Sequence, residues 1–156
     1  LATVQQSFER LISLAIQREE EAYQFYTDAS DTAELSSSSK LLQELAQQEV
    51  GHKEKLQGAL KEGVCDTFTC ETVEEVEDMK LGKYLLDIPL EKESSPQDIL
   101  IVAIKREEAA FSFYKALSEL TGNASHRTVF ETLAREEEGH KIRLENMYDD
   151  IFQPDM

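Results

Sequence analysis

"LAREEEGHKIRL", residues 133–144, has leucines at the spacing of a helix with one buried face, but it also carries three consecutive glutamates, a glycine and a histidine. Glycine inside a helix costs about 1 kcal/mol relative to alanine, so this stretch calls for a cause beyond helix propensity. It has a counterpart upstream, "LAQQEVGHKEKL" at 45–56. A second pair lies earlier in each half: "AIQREEEAYQFY" at 15–26 and "AIKREEAAFSFY" at 103–114. Both pairs share an offset of 88 residues, with no gap through the intervening turn. From Ala15 to Gln57, 17 of 43 positions are identical to their counterparts, too many for an accidental match. A period this long is not a solenoid repeat. It is two copies of a helical hairpin.

Apolar spacing is helical almost throughout. A first helix is expected from about Val4 to Asp31, with Phe8, Leu11, Ile12, Ala15, Ile16, Ala22, Tyr23 and Tyr26 on one stripe. A second follows the serine-rich break, from about Ser38 to Lys61, with Leu41, Leu42, Leu45, Leu56 and Leu60 inward and Gly63 ending it. The third starts at "SSPQD", where Ser95 can cap, Pro96 suits the first helical position and Asp98 favours the positive end of the dipole. It runs to about Leu120. The fourth begins near Ser125 and fades past Tyr148. Short turns make each pair antiparallel, and a long connection joins the pairs. Within that connection "TVEEVEDM" has capping-box spacing and "YLLDIPL" looks extended. The expected fold is all-α: one domain over 1–156, with hairpin one at 4–62, a crossover at 63–94 and hairpin two at 95–149, running up-down-down-up.

With 156 residues the chain suits one domain, and its 40% hydrophobic and 31% charged residues suit a globular one. A net charge of −16 argues against nucleic acid and anionic membranes as partners. There is no long uncharged apolar run and no signal-peptide pattern, so the chain reads as cytoplasmic. Cys65 and Cys70 cannot form a disulfide framework or a four-cysteine metal site and read as incidental thiols, with a reversible disulfide as the minor alternative.

Glu49 and His52 are three apart, as are Glu137 and His140, so each pair projects from nearly one helix face. A single Glu-x-x-His usually marks a solvated face. Two at equivalent places of a repeat are different, because two of the chain's three histidines are used this way. The partner helices carry equivalent acids, Glu19 and Glu107, each on the apolar stripe. The midpoint between Glu19 and the 49/52 pair falls at 34 to 35, in the first turn, and that between Glu107 and the 137/140 pair at 122 to 123, in the second. Each hairpin therefore brings its acid level with its Glu-x-x-His. Four ionised carboxylates facing one core are untenable alone, since desolvation costs several kcal/mol each. Two divalent cations balance the four charges with the histidines neutral, so a dinuclear metal site is expected. Oxygen-rich donors plus two imidazoles suit iron or manganese, and zinc could sit there without redox activity. Iron is the expected metal.

These residues resemble the rubrerythrin branch of the ferritin-like superfamily, and the resemblance covers both hairpins. It implies a ferritin-like bundle whose metal ligands are Glu19, Glu49, His52, Glu107, Glu137 and His140, with Glu49 and Glu137 bridging two irons. It also places a tyrosine seven residues after the first ligand of each hairpin, which Tyr26 and Tyr114 match. That spacing selects Glu19 over Glu20 and Glu107 over Glu108. Tyr26 and Tyr114 are the candidate catalytic side chains, read as core aromatics hydrogen-bonded to the ligands and not as radical relays.

The activity implied is reduction of peroxide or dioxygen at a diiron centre, a ferroxidase-like oxidoreductase chemistry suited to oxidative stress. The alternative is iron holding or ferritin-like storage, and a third reading is a helical interaction module with a vestigial site. Two departures from the family pattern stand out. Ala110 occupies the place where rubrerythrins proper have an extra carboxylate, which leaves a symmetric six-ligand set nearer to bacterioferritin. The paired Cys-x-x-Cys of a rubredoxin module does not occur, so an external electron donor such as a rubredoxin-type protein is expected. A homodimer or higher homo-oligomer is also expected. Gly51 and Gly139 point away from the ligand direction and read as sites of close approach by a neighbouring helix or subunit. His126 has no counterpart histidine in the first half, where Ser38 stands, and reads as surface.

Overall fold

A computed structural model describes residues 4–31, 35, 39–62, 95–120 and 124–152. These form four helices: α1 (Val4–Ser30), α2 (Ser39–Glu62), α3 (Pro96–Leu120) and α4 (Ala124–Phe152). The start of α3 follows from its sequence. The Asp98 N–H donates to Ser95 Oγ at 3.1 Å, and the Ile99 N–H donates to the Ser95 carbonyl at 2.9 Å. Ser95 thus satisfies donors that a helix N-terminus leaves open. α4 continues one turn beyond the expected end because Met147, Tyr148, Ile151 and Phe152 still pack on the core. The crossover, with its expected short helix and extended segment, and both cysteines lie outside the described residues. Among the described residues no helix is long and apolar enough to cross a membrane.

Two apolar clusters define the topology. In one, Ile12 and Ala15 of α1 and Leu56 and Ala59 of α2 meet Phe113 and Leu117 of α3 and Phe130 and Leu133 of α4. In the other, Phe25, Ala29, Leu42 and Leu45 meet Leu100, Ala103, Leu144 and Met147. The turn end of each hairpin therefore packs against the open end of the other. This places α1 antiparallel to α3 and α2 antiparallel to α4, the expected up-down-down-up order. The end of α2 and the start of α3 lie at opposite ends of the bundle, which is why a long connection is required between them. Burying each leucine or phenylalanine of these clusters contributes roughly 1.5–3 kcal/mol. The polar residues of interest lie in the layer between the clusters.

Three expectations change at this level. Tyr23, placed on the α1 stripe, is 36% exposed, and Phe25 fills the core instead, edge-on to Tyr26 with ring centroids 5.5 Å apart. The buried stripe follows Glu19, Ala22 and Tyr26 and leaves Tyr23 at its margin. His126, read as surface, is only 7% exposed. It precedes Phe130 by four residues and Leu133 by seven, so it lies on the buried face of α4. For the glycines the neighbouring-helix half of the expectation changes: a Cβ at Gly51 or Gly139 would meet nothing within 4 Å among the described residues, so no described helix makes the close approach. Alanine should fit both helices without a clash and remove the cost of glycine's backbone freedom. Gly51→Ala and Gly139→Ala are each expected to raise the unfolding free energy by about 1 kcal/mol, measured by urea denaturation. A loss of stability at either position would mean that a neighbour beyond the described residues needs the glycine.

Candidate metal centre

Each hairpin contributes three side chains to the mid-bundle layer. Glu19 comes from α1, Glu49 and His52 from α2, Glu107 from α3, and Glu137 and His140 from α4; all six are buried. Glu20 and Glu108, the neighbouring alternatives, face outward, where Lys53 lies 2.9 Å from Glu20 and Lys141 lies 3.5 Å from Glu108. The six inward side chains form two groups whose potential ligand atoms lie within 4.8 Å of one another. One group is Glu19, Glu49, His52 and Glu137, and the other is Glu49, Glu107, Glu137 and His140. Glu49 and Glu137 belong to both. The two imidazoles lie nearly parallel, with centroids 5.6 Å apart and an interplanar angle of 11°.

The imidazoles point Nδ1 inward. His52 Nδ1 lies 2.7 Å from Glu137 Oε1 and 3.5 Å from both Glu19 and Glu49. His140 Nδ1 lies 3.0 Å from Glu49 Oε1, 3.7 Å from Glu107 and 3.8 Å from Glu137. These are close approaches without hydrogen-bond geometry. One oxygen of each central glutamate and Nδ1 of each histidine lack any hydrogen-bond partner: Glu19 Oε2, Glu49 Oε1, Glu107 Oε2, Glu137 Oε1, His52 Nδ1 and His140 Nδ1. Six unpartnered atoms on six converging side chains form a set that fits metal, because a buried polar atom without a partner costs about 1–3 kcal/mol and two cations, one in each group, would satisfy all six.

The outer nitrogens are occupied. His52 Nε2–H donates to Glu136 Oε2 at 2.5 Å, and His140 Nε2–H donates to Gln48 Oε1. With the proton held on Nε2, the Nδ1 lone pair faces the cluster, the arrangement a metal-binding histidine needs. Sequence reasoning missed Glu136 and Gln48. Their signal was that each immediately precedes a Glu-x-x-His glutamate. The tyrosines do reach the site, but each crosses to the other hairpin. Tyr26 donates to Glu107 Oε1, and Tyr114 donates to Glu19 Oε1 at 2.5 Å.

Burial, reinforced by the neighbouring carboxylates, pushes Glu49 and Glu137 well above the ordinary carboxylate range. Burial likewise raises both tyrosines, with the central carboxylates adding to it, so their phenols stay protonated and donate. For His52 and His140 burial opposes the charged form, but the carboxylates around them outweigh it and raise both. Burial raises Glu107 too, but its contacts with Glu137 and His140 prevail and hold it low. In the metal-free chain, therefore, protons supply the compensating charge.

Beside the cluster, between α1 and α3, lies a cavity of about 50 Å³. Ala22 and Ala110, counterparts in the repeat, line it together with Tyr26 and Tyr114, and Arg18 and Arg106 line its outer part. Ala110, where an extra carboxylate would stand, leaves this space open.

The sequence model of the rubrerythrin family matches residues 1–75 and 98–155, taking in all six central residues and both tyrosines. The chain belongs to the rubrerythrin family. No curated protein and no solved structure matches it significantly. Rubrerythrins bind paired iron and are generally oxidoreductases, and this rubrerythrin has a buried carboxylate–histidine cluster able to hold metal.

The shifts fix how metal-free stability depends on pH. Glu49, Glu137, His52 and His140 all bind protons more tightly in the folded than in the unfolded chain. Their stabilisation is full below the unfolded values, about 4.3 for Glu and about 6.5 for His, and is lost as pH rises through the folded ones. Glu107 has the opposite sign, but its window lies below the ordinary carboxylate value. The melting temperature of chelator-treated protein should therefore fall steadily between about pH 5 and about pH 9, and added divalent metal should reverse the fall. A metal-free melting temperature that stays flat or rises across that range would contradict this account of the buried charges.

Proposed function

We propose that this rubrerythrin holds two iron ions in its central cluster and reduces peroxide or dioxygen there, with electrons delivered by a separate protein of the rubredoxin type. The observation that carries this reading is the set of six unpartnered atoms, one on each of six side chains, in two four-residue groups that share Glu49 and Glu137. Two ferrous ions held there would supply both electrons that cleavage of a peroxide O–O bond requires, without release of a radical.

The chain's own residues do the rest. Four carboxylates neutralise two divalent ions. Glu49 and Glu137 belong to both four-residue groups and would help to hold either ion, while Glu19 and Glu107 each belong to one. Tyr114 and Tyr26, protonated and hydrogen-bonded, fix the rotamers of those two outer glutamates. The cavity against the cluster suits a small oxidant. A water needs about 10–15 Å³ by the same measure, so 50 Å³ admits peroxide or dioxygen but not a bulky substrate. Phe25 and Phe113 line the same space and give it an apolar wall.

Anaerobic ferrous loading, followed by separate additions of peroxide and oxygen, tests the proposal. Two irons per chain should bind, and one of the two oxidants should produce a rapid rise in near-ultraviolet absorbance. Loaded protein whose spectrum stays flat with both would sink the redox reading and leave iron holding or storage. The double variant Glu49→Ala, Glu137→Ala removes the two shared carboxylates and should drop iron below one per chain and abolish the optical response.

A further inference from the structure

The repeat makes the two halves of the cluster chemical copies. Glu19 answers to Glu107, Glu49 to Glu137 and His52 to His140. Each four-residue group has one unshared glutamate, one histidine and the same two shared glutamates. Any difference between two ion positions must then come from outside these six side chains. The residues behind the imidazoles provide one. His52 Nε2 donates to a carboxylate oxygen of Glu136 at 2.5 Å, whereas His140 Nε2 donates to the amide oxygen of Gln48. Gln48 and Glu136 are themselves counterparts in the repeat. Lys55 Nζ lies 3.6 Å from Glu136 Oε1 and offsets part of its charge, while its counterpart Arg143 lies 2.9 Å from Glu44.

Accepting the two-ion reading above as its premise, we infer that Glu136 makes the two positions unequal: the position at His52 binds a divalent cation more tightly and fills first, and that at His140 fills second. A carboxylate that accepts the far N–H of an imidazole makes Nδ1 a stronger donor and adds a negative charge behind it. An amide orients the ring but adds no charge. Removing an outer partner of a metal-bound histidine typically costs about 10–100-fold in affinity. The Glu136 side chain is 39% exposed against 1% for His52, so solvent weakens its charge. The expected ratio is therefore near the lower end, about tenfold. Glu136 touches no ion and acts as a positioning residue.

The test uses metal-free full chain with ¹⁵N-labelled histidines, titrated with Zn²⁺ so that no redox step intervenes. The chain has three histidines, so its imidazole ¹⁵N spectrum is simple, and a His140→Gln variant assigns it. With a ratio of about tenfold, at one equivalent about three-quarters of the His52 Nδ1 signal should stand at its metal-bound position against about one-quarter of the His140 signal; at two equivalents both should be bound. By calorimetry Glu136→Gln should weaken the first step about tenfold, and Gln48→Glu should strengthen the second. The double exchange Gln48→Glu, Glu136→Gln should restore two unequal affinities with the preference between the histidines reversed, a result that a merely structural Glu136 would not give. Two ions binding with both imidazoles shifting in parallel would overturn this inference alone. A chain that takes up no Zn²⁺ would overturn the two-ion reading and this inference with it.

Discussion

The burial of four carboxylates in one layer of an apolar bundle is the constraint on which the rest depends. Each costs several kcal/mol to desolvate, and their mutual repulsion adds to that cost. Apolar clusters close the layer above and below, so water cannot relieve it freely. The chain has to supply compensation at that height, as protons, cations or directed hydrogen bonds. Four hydrogen bonds do part of this, and all four run between hairpins: Tyr26 to Glu107, Tyr114 to Glu19, His52 to Glu136 and His140 to Gln48. Cohesion between the hairpins thus has a polar centre with apolar flanks. A slide of one hairpin by a single turn would break all four bonds and expose the charge problem again, so the site sets the register of the bundle as much as the bundle sets the site.

Duplication explains why the solution is reciprocal. Each arm brings one acid, one Glu-x-x-His and one tyrosine, and antiparallel pairing of the arms sends each tyrosine and each histidine to the opposite copy. At the cluster the two arms agree side chain for side chain, whereas in the apolar layers Ile12 answers to Leu100, Ala29 to Leu117, Leu42 to Phe130 and Ala59 to Met147. Away from it they diverge. Glu21 receives both Arg18, at 3.2 Å, and Arg106, at 3.5 Å, whereas its counterpart is Ala109. Glu136 answers to Gln48. Charge neutrality ties the inner residues together, so changing one forces a change in another, while the outer residues face solvent on one side and can vary singly.

Much of this was legible in the sequence because it depends on local periodicity. The four helices follow from apolar spacing and the start of α3 from Ser95, and the convergence of six side chains follows from the repeat together with the turn midpoints. What depends on how the two hairpins meet was not legible. Seven-residue spacing says that Tyr26 leans toward the site, but only the relative placement of α1 and α3 makes Glu107 its acceptor. Gln48 and Glu136 look like ordinary surface residues until α2 and α4 are set antiparallel. His126 failed differently: lacking a counterpart histidine it reads as surface, although its spacing to Phe130 and Leu133 marks it as inward. Gly51 and Gly139 invited a packing explanation that the described helices do not supply.

Ala110 bears on what the cluster can balance. With four carboxylates, two divalent ions bring the layer to neutrality. A fifth at position 110 would project into the cavity beside the cluster and leave one negative charge in excess, to be met by a proton or a more highly charged metal. Ala22, its counterpart, preserves the same space from the other arm. The pair of alanines therefore does two things at once: it holds the fixed charge of the layer at four carboxylates, the number that two divalent cations would balance, and it leaves a void of small-molecule size against the cluster.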